Sequence, residues 1–203
     1  MVDEARQRWA ARGAVTRRRC LRALALVAIL LLGPVWPAVL ASDAYDDRRV
    51  HVGARLFRAM LAADVGLEQK VAADGSLHIL IYGENDDSIE AASELIGSGD
   101  GGGSLKGHAL QLEGLSGVPE TPGPVLGVFL ANPPDDALLD ELIAWGIREH
   151  AIVYSPFEGH VERGALGGVA IEAKVRPYIN RQTMMAAGVE LKPFFLKVSK
   201  VLE

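Results

Sequence analysis

Cysteine is almost absent from this chain: among its 203 residues only Cys20 carries a thiol. Cys20 falls in an N-terminal leader, so the remainder has no disulfide, no thiol nucleophile and no thiolate to hold a metal. Basic residues are also scarce beyond the leader. Residues 1–41 hold seven of the 21 Lys+Arg and two of the 26 Asp+Glu, which leaves 14 bases against 24 acids and a net charge of −10. Such a balance disfavours nucleic acid and anionic lipid surfaces as partners. The deficit is uneven. From Asp64 to Glu162, 18 acids face only Lys70, Lys106 and Arg148, whereas seven bases between Arg163 and Lys200 meet only Glu172 and Glu190. There is no internal repeat.

The leader has a recognisable order. Arg17, Arg18, Arg19 and Arg22 close a positive segment, and an uncharged stretch from Ala23 to Ala41 follows, with "ALALVAILLL" at its centre. Gly33, Pro34 and Pro37 interrupt it before the small exit Val39-Leu40-Ala41. A positive region, an apolar region of about 7–15 residues and a small-residue exit describe a secretory signal. Cleavage is expected after Ala41, which makes residues 1–41 a signal peptide and 42–203 one exported domain. The stretch is nearly the ~20 residues that a spanning helix needs, but its two prolines argue against an uncleaved anchor. The mature protein is therefore not expected to span the membrane. "TRRRCLR" also resembles a twin-arginine export signal, so Sec and twin-arginine routes both stay open.

The 162 residues after the leader suit one domain with an adequate core. Val50, Ala54, Phe57, Met60 and Leu61 recur at helical spacing, predicting a helix from Asp46 or Asp47 to about Asp64. "SLHILIYG", "GPVLGVFLA" and "AIVYS" are short continuous apolar runs, as in buried strands, and "GHALQLEG" is a weaker one. Between them "DDSIEAASELIG" and "DDALLDELIAWGIREH" read as helices with acids in their first turns. "GGVAIEAKVRPYI" alternates like antiparallel strands. Asn180 opens two short helices broken at Gly188, the second starting at Pro193 with Phe194, Val198 and Val201 expected to face inward. The pattern predicts a single α/β domain: a mixed, mostly parallel sheet flanked by helices, with an antiparallel hairpin and C-terminal helices.

Two stretches look chemical. "GSGDGGG", Gly97 to Gly103, contains a literal G-x-G-x-x-G, but it follows a helix instead of opening one, so it reads as a linker. "YSPFEGHVERGALGG", Tyr154 to Gly168, gathers Ser155, Glu158, His160, Glu162 and Arg163. If extended, it would put Glu158, His160 and Glu162 on one face, where they could hold a divalent ion. The competing reading is a polar turn and hairpin arm. His51, His78, His108 and His150 are scattered over other elements, and no metal or cofactor is expected. Ser155 lacks the G-x-S-x-G elbow and precedes Pro156. Arg163 and Arg176 could bind an anion or a partner carboxylate, or simply form surface ion pairs.

A leader, an amphipathic helix, "LHILIYG" and an alternating α/β stretch come before "GGVAIEAKVRPYINRQTMMAAGVELKPFFLKVSKV". In that order and in that ending the chain resembles the YfiR family of periplasmic regulatory proteins. The specific likeness covers about 40 residues from Gly167. The aromatic pattern of the family's first helix is reduced here to "LFRAMLAADVGLEQK", and the cysteine pairs of some members are absent. The resemblance implies a regulator that binds and restrains the periplasmic sensor domain of an inner-membrane signalling enzyme, a diguanylate cyclase or histidine kinase, and no catalysis. The expected contact residues are Glu158, His160, Glu162, Arg163 and Arg176, and a homodimer is compatible with this reading. A small-ligand-binding module is the alternative, with a metal-dependent enzyme third.

Overall fold

The computed structural model describes residues 38–99, 101–120 and 123–203. The leader up to residue 37 lies outside the described residues, and with it most of the expected signal peptide. The chain divides into Met1–Ser42 and a compact unit, Asp43–Glu203, and the description that follows concerns the second.

Helix α1 (Ala38–Ala63) comes first, starting earlier than Asp46; the expected cleavage point after Ala41 falls within its opening turn. After a short 3-10 turn (Leu67–Lys70) come β1 (Leu77–Tyr82), α2 (Asp86–Gly97), β2 (Ser104–Leu105), β3 (His108–Leu115) and β4 (Val125–Leu130). They are followed by α3 (Asp136–Arg148), β5 (Ile152–Ser155), α4 (His160–Arg163), β6 (Gly167–Ile171) and β7 (Val175–Asn180). The chain closes with α5 (Arg181–Ala186), α6 (Pro193–Val198) and β8 (Lys200–Leu202). The strands form one sheet in the order β2-β3-β1-β4-β5-β6-β7-β8. Strands β3, β1, β4, β5 and β6 run parallel, and β6 turns back antiparallel into β7. This is the α/β fold the alternation of elements predicts. Among the described residues no helix is long and apolar enough to cross a membrane.

The parallel strands are buried on both faces because helices cover both. On one face α1, α2 and α6 bury Phe57, Met60, Ile96 and Phe195 against Ile79, Ile81, Phe129 and Tyr154. On the other, α3 lays Leu139, Leu142 and Trp145 over Leu80, Val128 and Leu130. Local chemistry starts the two long middle helices. The Asn85 side chain accepts the Ser88 N–H, and the Asp135 side chain accepts the Leu138 N–H, each satisfying one of the donors that a helix start leaves free. Asn180 does the same for α5, accepting the Thr183 N–H as its position in the sequence predicts.

Helix α1 packs directly on the sheet. The rings of Phe57, Phe129 and Tyr154 stand 5.3–5.8 Å apart, a separation at which aromatic edges and faces attract. Glycines make this approach possible. A Cβ on Gly127 would sit 2.7 Å from the Ile152 carbonyl oxygen and 3.1 Å from the Phe57 ring, and one on Gly167 would sit 2.6 Å from Met60 Cε.

Two expectations fail at the C-terminus. Phe194 and Val198 face solvent, at 65% and 57% exposure, while Phe195 takes the inward position. The last residues are not helical, because Tyr178, Ile179 and Asn180 offer β7's free edge and Lys200–Leu202 pairs with it.

The glycine contact is testable. Gly127→Ala is expected to lower the unfolding free energy by about 1–3 kcal/mol, the usual cost of overpacking. Gly117→Ala, which meets nothing within 4 Å, should stay within about 0.5 kcal/mol. Urea titrations of both variants measure the difference.

Candidate functional site

The stretch from Tyr154 to Gly168 is a parallel crossover, not a hairpin arm. Strand β5 ends at Ser155, Pro156 and Phe157 turn the chain, and Gly159 adopts φ 79° to start α4. Gly164, at φ 132°, ends the helix and releases the chain into β6. Both glycines are needed, because positive φ is costly for side-chain-bearing residues. Gly167 and Gly168 allow close approach: a Cβ on Gly168 would lie 2.6 Å from the Ser155 carbonyl oxygen. The hairpin lies one step later, between β6 and β7.

This turn of helix breaks up the expected trio. Residues two apart point in opposing directions on a helix, unlike on a strand. Glu158 precedes the helix and is exposed, His160 is half-buried, and Glu162 points out. Among the described residues no three His, Cys, Asp or Glu side chains gather as a metal site would require.

Each expected residue instead has a local partner. Arg163 forms a two-pronged ion pair with Asp140, through Nε at 2.7 Å and Nη2 at 2.8 Å, and reaches Asp136 at 2.6 Å. It ties α4 to α3 and holds the Asp140 carboxyl below its ordinary range through that hydrogen bond. Arg176 pairs with Glu172 at 2.7 Å across the β6–β7 hairpin, and Lys200 reaches the same carboxylate at 3.2 Å. Hydrogen bonds from Lys200 and Arg176 pull the Glu172 carboxyl down. Glu162 lies beside Tyr178, whose phenol is pushed up first by burial and then by that neighbour. Between α4 and the hairpin a cavity of about 90 Å³ opens, bordered by Glu158, Glu162, Glu172, Tyr178 and Lys200. It has room for a few water molecules at ~30 Å³ each. So the structure brings Glu158 and Glu162 to one wall with Glu172, while Arg163 braces the opposite side of α4.

Two features escaped the sequence. The first is Arg49, only 3% exposed, which donates from Nε to the Pro156 carbonyl at 2.7 Å and from Nη2 to Val169 O at 3.4 Å. Its Nη1 stands 3.8 Å from Glu158, so α1 holds both ends of the crossover loop. The available signal was its register: Arg49 falls on the same stripe as Gly53, Phe57 and Met60. The second is a Ser155–His160 contact of 2.8 Å between Oγ and Nδ1. The Phe157 N–H donates to the same Oγ at 3.3 Å. Ser155 has no exposed surface. The pair closes the loop upon itself, and a substrate could reach the hydroxyl only if the loop opened.

Comparison with known proteins adds little. No family model matches the chain, and no curated protein matches it. Among solved structures, an ABC domain in complex with L-Trp from Streptococcus pneumonia is similar with a TM-score of 0.44 and 12% identity. The match covers 70% of this chain and 62% of that one, so the chain spans less than two thirds of that domain. A likeness this distant bears on neither ligand nor partner.

Two outcomes test this construction. Arg49→Met leaves the Pro156 and Val169 carbonyls without their donor and is expected to cost about 2–3 kcal/mol, read as a lowered midpoint in urea. His160 gives a pH signature. Burial holds its pKa below the ordinary value, with Arg163 and Arg49 adding to the effect and Asp136 opposing it. The unfolded chain therefore binds the proton first, and stability should fall as pH drops below about 6.5. His160→Gln should flatten the stability profile between about pH 7 and pH 5 relative to wild type.

Proposed function

We propose that this protein acts by contact, as an exported regulatory module that binds and restrains the periplasmic sensor domain of an inner-membrane signalling enzyme. The observation that carries this reading is the uncovered apolar surface near the C-terminus. Phe194 and Val198, one turn apart on α6, are 65% and 57% exposed, and Met185 on α5 is 70% exposed. Scattered surface hydrophobics are ordinary. A Phe and a Val aligned on one solvent-facing helix stripe, with Met185 exposed on the neighbouring helix, suit a protein partner.

These residues belong to the stretch from Gly167 onward that resembles the YfiR family, and that resemblance supplies the kind of partner, a cyclase or kinase sensor domain. Glu158 and Glu162, exposed on the crossover, would supply charge at the rim, where it affects association rate and salt dependence more than affinity. Arg163 is occupied by Asp136 and Asp140. Reversing its charge would disturb α3 as well as any partner, so the apolar pair is the better probe.

The test is a calorimetric titration of the mature protein with the periplasmic domain of the membrane signalling protein encoded beside it. Phe194→Ser combined with Val198→Ser is expected to weaken binding at least tenfold with the unfolding midpoint nearly unchanged, because both side chains are already in water. Absence of binding by the unmodified protein would sink the proposal, and so would full affinity in the double variant.

A further inference from the structure

A cleft remote from the crossover loop is the second feature of the molecule with room for a ligand. It lies between α1 and the C-terminal end of α2, with a volume of about 620 Å³. That is within the ~300–1,000 Å³ typical of small-molecule sites. One wall is a single stripe of α1: His51, Arg55, Arg58 and Ala59, then Ala62. These fall at intervals of three and four residues, so they share a face. The other wall is Leu95, with Ser98 and Gly99 at the beginning of the glycine-rich loop, and Leu105 closes the bottom.

The lining has two characters. Arg55 brings a cationic group to it, and none of the described lining residues is acidic, in a domain with ten more acids than bases. Leu95, Leu105, Ala59 and Ala62 make the remainder apolar. Arg58 is fixed, donating to the carbonyls of Ile96 at 2.6 Å, Ser104 at 2.9 Å and Gly102 at 3.3 Å. Arg55, one turn away, is exposed and has no ion-pair partner among the described residues. The loop is built around Arg58. A Cβ on Gly99 would lie 2.5 Å from Arg58 Nε, so the glycine lets the loop backbone close over the guanidinium. The small side chains at Ala59 and Ala62 keep the cleft open.

We propose that this cleft binds a small amphiphilic organic acid, with its carboxylate on Arg55 and its hydrocarbon body over Ala59, Leu95 and Leu105. A guanidinium fork matches a carboxylate in geometry and charge, and the half-apolar lining rewards a hydrocarbon that a bare inorganic anion lacks. The site goes beyond the contact function proposed above and uses none of its residues, so either can fail alone.

Sodium octanoate, titrated into the full chain and followed by calorimetry, tests the assignment. One saturable site is expected, with affinity at least tenfold above that for octanol, which has the chain without the charge, and above that for inorganic phosphate, which has charge without the chain. Arg55→Glu should weaken octanoate binding at least tenfold. Ala59→Trp, which fills the cleft without changing charge, should abolish it. Met185→Ser, at the separate exposed apolar surface, should leave it unchanged. The proposal is overturned by any of three results: no saturable binding, equal affinity for octanoate and octanol, or binding that Arg55→Glu leaves intact. Should Ala59→Trp misfold, Arg55→Glu still decides, since Arg55 is solvent-exposed and makes no ion pair that folding needs.

Discussion

The packing of α1 against the sheet, with Phe57 and Met60 placed over Gly127 and Gly167, is the contact on which the rest of the domain depends. Phe57, Phe129 and Tyr154 form a mutually touching triangle, and no side chain at 127 or 167 holds the helix away. Buried apolar area is the main favourable term in folding. Here it also fixes a distance, because a helix at this separation can reach the backbone of neighbouring elements with its polar side chains.

Two arginines use that reach. Arg49 spans the crossover after β5, and Arg58 gathers the end of α2 with the loop that follows. A buried cation is costly unless its donors are occupied. In both cases it meets main-chain carbonyls of neighbouring segments. The arginines convert the position of one helix into the positions of two loops. The same stripe of α1 then serves the interior with Phe57 and Met60, while its flank serves the α2 cleft with His51 and Arg55.

The crossover loop shows how a charged sequence can be spent on internal order. Arg163 is taken by α3, Arg176 by Glu172 and Ser155 by His160. Apolar side chains stay exposed on the last two helices: Met185, Phe194 and Val198. The small helices α5 and α6 are only six residues each, too short to cover one side of themselves and bury the other completely.

The sequence determined the fold class on its own. Runs such as "LHILIY" and "VLGVFL" have no polar alternation because both their faces are covered, and the Asn180 cap is local chemistry that needs no distant partner. The helical turn at His160 to Arg163 was not legible, because an isolated four-residue stretch has no intrinsic preference strong enough to decide between strand and helix. That choice was made by β6 pairing parallel to β5 and by Arg163 reaching α3. Likewise the spacing of Pro193 to Val201 could place a helix but not its rotation, which followed from Phe195 entering the core beside α1. Only the tertiary structure could turn the glycine-rich stretch after α2 from an apparent linker into one wall of a cleft, because the arginine it wraps lies some 40 positions earlier in the chain.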